Sequence, residues 1–471
     1  MLLKKHWRRL SDDAGKGVLT IPAEVTEEAT RELFSNLEKG GMATFVVSKK
    51  ISWNPRDDYF EEIREAARRG LAIQRVFLLP LKIYLRDKTL SEQIELDSQA
   101  GIKNTLLYVG PNSSPDLEAI REVGLDFGIW DNKVLCTISS AGTADGEANH
   151  EWRVSRRQED LQSARLLWQE LLAKGEELTY PPQPAASYEL EEPMVESAPL
   201  MRELSLAVCK GSYLGKRTSS CSWYHGVWQY LRLFDMVSTP AWKARFYIST
   251  FKKAAREFDR ARVLISGTAD YSMLAHVLWA FDAETRPLTA TVLDLCETPL
   301  IMNRWYCKRF QTHTETETVQ SDVMQYDSQP YDMITTDAFL TRFEKQDRLK
   351  VIKSWSSLLR KGGMAITTVR LKNEYAQFDR FVPRREYIES FKAKAFEQAI
   401  RWRDFVDITP ELIAGMAEFY AEEMDSYPVS SVADLNTEFE DSGFDIESHV
   451  TSVKGELVPT SYAEVVARRR G

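Results

Sequence analysis

A chain of 471 residues with 43% hydrophobic and 28% charged side chains has an ordinary globular composition with room for two or three cores, which excludes a disordered or fibrous protein. The formal net charge of −9 argues against a general affinity for nucleic acid. No stretch reaches the ~18 apolar residues of a membrane span, and the basic start "MLLKKHWRRLSDD" has no apolar run behind it, so no membrane, no signal peptide and a cytoplasmic location are expected.

In the first part of the chain, "MATFVVS" (42–48) reads as a strand, "DDYFEEIREAARRG" (57–70) as an amphipathic helix and "LAIQRVFLLP" (71–80) as a buried strand. A helix over 89–102 and a strand over 104–110 continue a βαβ pattern with a mostly parallel sheet. Asp131-Asn132 between two apolar runs in 126–140 predicts a hairpin, and 159–175 a closing helix. Residues 1–178 thus form a separate N-terminal α/β domain. Its strand, Asp-Asn turn, strand order and final helix loosely resemble phospholipase-D-like domains that serve as ligand sensors, although the His-x-Lys signature of the active lipases is absent; the resemblance implies a regulatory or sensor role. His150 reads as a surface-loop histidine.

Residues 179–199, "TYPPQPAASYELEEPMVESAP", hold five prolines and few aliphatic side chains, the composition of an extended linker. Residues 200–260 form an aromatic-rich helical lid. On a helix, Tyr224, Trp228 and Leu231 of "CSWYHGVWQYLR" share one face and His225, Gln229 and Arg232 another. From 261 on, strands at 262–266, 289–295, 316–321, 331–336 and 364–370 alternate with helices at 271–281, 298–309 and 345–359, with the turn Lys361-Gly362-Gly363 before the fifth strand. Segments 443–453 and 461–469 are two strands close enough to pair antiparallel. This predicts a doubly wound sheet with an antiparallel final strand and a helical insertion at 371–431.

Ligands of such sheets lie at the carboxyl ends of the strands. The turn "SGTADY", Ser266-Gly267-Thr268-Ala269-Asp270-Tyr271, has one glycine and places Ala269 and the Asp270 carboxylate where a pyrophosphate would go, so it disfavours a dinucleotide. A phosphate-free cofactor with an amino-acid moiety meets no such conflict. Asp294, ending the next strand beside Leu295, can accept hydrogen bonds from both ribose hydroxyls. A nucleoside joined to an amino acid is S-adenosylmethionine.

Over about residues 205–470 the sequence resembles the class I S-adenosylmethionine-dependent methyltransferases, and the resemblance implies a Rossmann-like seven-stranded fold. It maps the cofactor turn onto Ser266 to Asp270, the ribose acid onto Asp294, the adenine pair onto Asp322-Val323, and the polar residues near the methyl group onto Thr336 and Asp337. The first motif departs from the family pattern of an acid and two or three glycines. The five cysteines, Cys136, Cys209, Cys221, Cys296 and Cys307, show no C-x-x-C pair and no Cys/His cluster, so no metal site is expected. For catalysis the expectation falls on His225 as a base, with Tyr224 and Asp337 beside it. Of the other histidines, His276 packs inside a helix, and His6, His150, His313 and His449 lie away from the strand ends. The expected activity is methyl transfer to an O- or N-nucleophile of a small molecule. A regulator that binds the cofactor without turnover, another reaction of the same cofactor, and a homodimer stay open. Arg384-Arg385 and Arg401-x-Arg403 of the insertion read as a solvated helix face.

Overall fold

The computed structural model describes the chain apart from residues 1–16, 22–25, 48–52, 81–83, 85–86, 110–125, 143–147, 179–189, 211–219, 311, 313, 373–381, 404 and 454–459. His6, His313 and most of the expected linker lie outside the described residues. The chain divides into two compact units, Met1–Glu191 with Asp404–Val406 and Glu192–Arg403 with Asp407–Gly471. No helix among the described residues is long and apolar enough to cross a membrane.

The first unit holds β1 (Val18–Ile21), α1 (Thr26–Ser35), β2 (Gly40–Val46), α2 (Asp58–Arg68), β3 (Ala72–Leu79), α3 (Lys88–Gln99) and β4 (Lys103–Tyr108), then β5 (Asp126–Trp130), β6 (Val134–Gly142), β7 (Ala148–Ser155), α4 (Gln158–Lys174) and β8 (Glu176–Glu177). Its sheet runs β1-β7-β6-β5-β2-β3-β4-β8. β2, β3 and β4 are parallel, as βαβ alternation demands, and the remaining pairs are antiparallel. Asp131 and Asn132 turn β5 into β6 with φ of 52° and 59°, the left-handed pair that a tight hairpin needs. The Asp131 carboxylate accepts from the amides of Glu38, Lys39 and Gly40, which fixes the hairpin to the start of β2. His150 is not in a loop. It lies in β7 opposite Ser140, because β7 extends the antiparallel half of the sheet beyond the expected hairpin.

In the second unit the elements are α5 (Met194–Val208), α6 (Ser222–Leu233), α7 (Ala244–Glu257), β9 (Ala261–Ser266), α8 (Ser272–Ala283), β10 (Leu288–Asp294), α9 (Glu297–Phe310), β11 (Glu315–Gln320), β12 (Tyr331–Asp337), α10 (Lys345–Leu358), β13 (Leu359–Arg370), α11 (Arg385–Trp402), α12 (Pro410–Glu423), α13 (Val432–Glu440), β14 (Phe444–Val453) and β15 (Thr460–Arg469). The sheet order is β11-β10-β9-β12-β13-β15-β14. The first five strands are parallel, β15 runs antiparallel to β13, and β14 pairs antiparallel with β15. Trp355 of α10 and Phe439 of α13 are buried in one core with Ile334, Ala365 and Val465 of the sheet. α5 starts at Met194, so the end of the expected linker is helical.

Asp126, at the start of β5, accepts from the Val46 amide at 2.7 Å, and burial outweighs this bond and raises its pKa to about 7. A carboxyl raised in the folded state is most costly to stability once ionised. The penalty is absent below the unfolded value near 4, grows as pH rises to about 7, and is constant above. Asp126→Asn keeps the acceptor oxygen and should stabilise the protein by on the order of 2 kcal/mol at pH 8 and by little at pH 4. Urea titrations at the two pH values check this; equal stability changes at both would show that Asp126 is well solvated.

Candidate functional site

β9 ends at Ser266, β10 at Asp294, β11 at Gln320 and β12 at Asp337, all at one edge of the second sheet. β10 lies on one side of β9 and β12 on the other, so the strand order reverses there and the connecting loops diverge into a crevice. A cavity of about 700 Å³ occupies that place.

The turn after β9 has φ of 76° at Gly267, and a Cβ there would fall 2.4 Å from the Phe339 ring, so both backbone and space demand glycine. The Gly267 amide donates to the Leu293 carbonyl at 2.8 Å, and the Thr336 hydroxyl donates to the Gly267 carbonyl at 3.0 Å. The Thr268 amide donates to Asp294 Oδ2 at 2.9 Å and the Cys296 amide to Oδ1 at 2.7 Å. Burial raises the Asp294 pKa to about 6, against these two amides, which favour the ionised form. Each carboxylate oxygen keeps acceptor capacity for a further donor.

Gly267, Thr268, Ala269, Asp270, Asp294, Leu295, Asp322, Val323 and Asp337 border the cavity together with Tyr224 and His225. The structure thus gathers eleven of the expected site residues and leaves three outside. Ser266 is fully buried and accepts from the Trp355 indole at 3.0 Å. Tyr271 is also fully buried, stacked on Tyr306 with its hydroxyl 2.7 Å from that of Ser197. Thr336 turns its hydroxyl to the Gly267 carbonyl, as described, so it supports the turn instead of facing the cavity.

Two bordering carboxylates have other work than the sequence suggests. Asp270 Oδ1 accepts from the Ser272 amide at 2.9 Å at the start of α8. Its Oδ2 accepts from Gln229 at 3.1 Å and from Arg232. Asp270 therefore does not present a free charge where a phosphate would sit. The second guanidinium nitrogen of Arg232 binds Glu192 and, at 3.0 Å, the Ser272 hydroxyl. Asp337 accepts from Lys243 at 3.0 Å, Tyr247 at 2.8 Å and Thr368 at 2.6 Å. Burial, reinforced by the neighbouring Asp337 charge, pushes the Tyr247 hydroxyl well above its usual pKa. With an ammonium and two hydroxyls on it, Asp337 holds structure and is not placed to take a proton.

The wall opposite the strand ends is aromatic. Tyr224 stacks on Trp228 at 5.0 Å and on Tyr420 at 5.8 Å, and Phe391 stacks on Tyr420 at 6.1 Å. Burial pushes the Tyr224 hydroxyl pKa up, so it stays a phenol. Arg342 lies 5.5 Å from the Tyr224 ring centre, and its Nη2 has no hydrogen-bond partner among the described residues. Sequence reasoning missed Phe391, Tyr420 and Lys243, because α11, α12 and the segment before α7 reach the site only by tertiary folding, and missed Arg342, in the turn just after β12, because nothing local marks it. The expected solvated face of the insertion holds for Arg385, which is exposed and pairs with Glu389, Glu418 and Glu422.

His225 takes a different place from the one expected. It is 3% exposed, and its Nδ1 lies 3.3 Å from Cys209 Sγ and 3.6 Å from Cys296 Sγ. Cys221 is 3.6 Å from Cys296, so three of the supposedly scattered cysteines and one histidine meet. The expectation of no Cys/His cluster fails because the four residues come from three separated segments. His276 packs inside α8, 1% exposed, with Nδ1 on the Ser272 carbonyl at 2.8 Å.

No family model matches the chain, and no curated protein does. Among solved structures it is similar to magnesium protoporphyrin IX methyltransferase from Synechocystis PCC 6803 with bound SAM, at 12% identity over 49% of this chain and 80% of that one, TM-score 0.31. It is also similar to N-methyltransferase NodS from Bradyrhizobium japonicum WM9 in complex with S-adenosyl-L-homocysteine, at 10% identity over 51% of this chain and 99% of that one, TM-score 0.30. A third is the pyocyanin biosynthetic protein PhzM, at 12% identity, TM-score 0.30, over 46% of this chain and 54% of that one.

Arg232 is 6% exposed between Glu192 and Asp270, which are 4% and 2% exposed. Arg232→Met keeps much of the side-chain volume and strands two buried carboxylates, which should cost about 3–5 kcal/mol. Denaturant unfolding of the full chain measures this. A loss below about 1 kcal/mol would mean that water reaches the network.

Proposed function

We propose that the second unit binds S-adenosylmethionine in the cavity at the strand ends and transfers its methyl group to a small-molecule nucleophile. The observation that carries the reading is the convergence of Gly267, Asp294 and Asp322 on one cavity at the reversal of strand order. Numbered in chain order within the sheet, the strands run 3-2-1-4-5-7-6 with the last antiparallel to its neighbours, which supports the class I methyltransferase resemblance carried by the sequence.

In this reading the Asp294 carboxylate accepts from the two ribose hydroxyls, Gly267 lets the backbone pass beneath the cofactor, and Asp322-Val323 border the adenine. The Tyr224, Trp228 and Tyr420 wall takes the acceptor, which suits a ring-bearing molecule, and Arg342 offers a donor to an oxygen on that ring. The sulfonium is already activated, so the enzyme acts by aligning the nucleophile with the methyl group. Neither the resemblance of the first unit to phospholipase-D-like sensors nor its pattern of side chains gains support from the comparisons, and we assign it no activity. The second unit is proposed to fold as a domain beginning before Glu192, since Arg232 needs that carboxylate.

Asp294→Ala should weaken binding of S-adenosylhomocysteine at least tenfold, through loss of charged hydrogen bonds worth about 1.5–3 kcal/mol. Calorimetry on a variant whose melting temperature matches the parent checks it; unchanged affinity removes Asp294 from the cofactor site. Incubation with methyl-labelled cofactor and a cell extract tests turnover, and label that stays wholly on the cofactor argues against transfer.

A further inference from the structure

The four side chains that meet beside the cavity are Cys209, just after α5, Cys221 and His225, one helical turn apart at the start of α6, and Cys296, two residues beyond the end of β10. All four are buried, at 8%, 1%, 3% and 5% exposure, and their donor atoms all lie within 4.8 Å of one another. The sulfurs of Cys209 and Cys221 are each 3.6 Å from that of Cys296. His225 Nδ1 is 3.3 Å from Cys209 and 3.6 Å from Cys296.

These separations decide between the chemistries open to such a group. A disulfide joins sulfurs at about 2.05 Å, far inside the spacing found here. A polynuclear iron–sulfur cluster sets its own inorganic atoms between the cysteines and spreads them wider than one common 4.8 Å sphere. A single tetrahedral ion with bonds of about 2.3 Å to sulfur and about 2.0–2.1 Å to nitrogen has edges of about 3.8 Å between sulfurs and about 3.6 Å from sulfur to nitrogen. The four separations given above match the last case, slightly contracted, and the remaining two fall within the common 4.8 Å. Three cysteines and a histidine are one of the donor sets that hold zinc with no open position. The surroundings match a thiolate site as well: the Thr298 hydroxyl, fully buried, lies 3.0 Å from Cys209 Sγ and can donate to it.

We propose that Cys209, Cys221, His225 and Cys296 bind one zinc ion in a closed, structural site. Binding replaces three S–H protons, which leave to solvent, by three zinc–sulfur bonds, and the neutral imidazole gives the fourth ligand through Nδ1; no electron is transferred. The ion joins the end of α5, the start of α6 and the segment after β10. Since Tyr224 precedes His225 and Asp294 lies two residues before Cys296, it fixes the aromatic wall against the carboxylate edge of the cavity. His225 is then a ligand and not a base. The inference stands on the four side chains alone and survives a failure of the methyltransferase reading.

The test is metal analysis of the untagged full-length protein, purified under reducing conditions and without chelator, by inductively coupled plasma mass spectrometry. One equivalent of zinc per chain is expected, retained in Cys307→Ser and lost in Cys221→Ser, Cys296→Ser and His225→Gln. Should these variants fail to fold, the wild type carries the test. Chelation with 1,10-phenanthroline should lower its melting temperature, and refilling with Co2+ should restore it and bring the intense visible bands of a tetrahedral thiolate complex. Protein that is metal-free as purified and takes up no Co2+ overturns the proposal, as does iron in place of zinc or a disulfide among the three cysteines found by mass spectrometry of the alkylated protein. Zinc kept in full by His225→Gln removes His225 from the ligand set and also overturns the site as drawn.

Discussion

The buried guanidinium of Arg232 is the constraint around which the second unit is arranged. Taking its charge out of water is costly, and the cost is offset only because Glu192, Asp270 and Ser272 all reach it. Those partners come from the segment before α5, the turn after β9 and the start of α8, so the approach of these pieces is set by one planar group with fixed donor directions. Gln229, one turn back on α6, adds a second bond to the same Asp270 oxygen. The face of α6 that carries Gln229 and Arg232 is thereby pinned to the turn after β9, and Tyr224 and Trp228 are left to form the cavity wall.

This arrangement explains why a linker reading of residues 179–199 stops short. Proline and acid content look the same whether an acidic residue is solvated or buried against an arginine forty positions away. Glu192 is 4% exposed and belongs to the core of the second unit. Most of the expected strands lie within a residue or two of the observed ones, β13 excepted, because buried parallel strands are short apolar runs with polar residues at both ends. The Lys361-Gly362-Gly363 turn was read correctly in its chemistry and misjudged in its setting. β13 already pairs at Leu359 with Tyr331, and the register then jumps to Met364 opposite Met333, so the glycines form a bulge within a strand, with Gly362 at φ 76°. In the first unit β1, α1, β7 and the two-residue β8 escaped the reading.

The site residues divide by the same logic. Positions defined by strand ends, Gly267, Asp294, Asp322 and Asp337, could be placed from the chain because a doubly wound sheet brings its strand ends to one edge. Their hydrogen-bond partners could not. Lys243 and Thr368 lie 94 and 31 residues from Asp337, and nothing local distinguishes a carboxylate that accepts from both of them from one left free. The cysteines show the limit most clearly. Cys221-x3-His225 is a one-turn pair visible in the sequence, whereas Cys209 and Cys296 join it only after the sheet has brought the end of β10 beneath α6.

The satisfied state of these groups bears on how the cavity can act. Asp270 is held by Arg232 and Gln229, Asp337 by Lys243, Tyr247 and Thr368, and the His225 Nδ1 faces sulfur. Asp270 and Asp337, already held by donors, offer geometry more than proton transfer, which would suffice in the proposed reaction, whose electrophile arrives activated. Asp294 differs, since both its partners are backbone amides and each oxygen retains acceptor capacity beside the cavity. In the proposed reading, a ligand with paired hydroxyls would take up that capacity. Such binding would be coupled to the local stability of the segment 294–296, since the Cys296 amide is held by the same carboxylate.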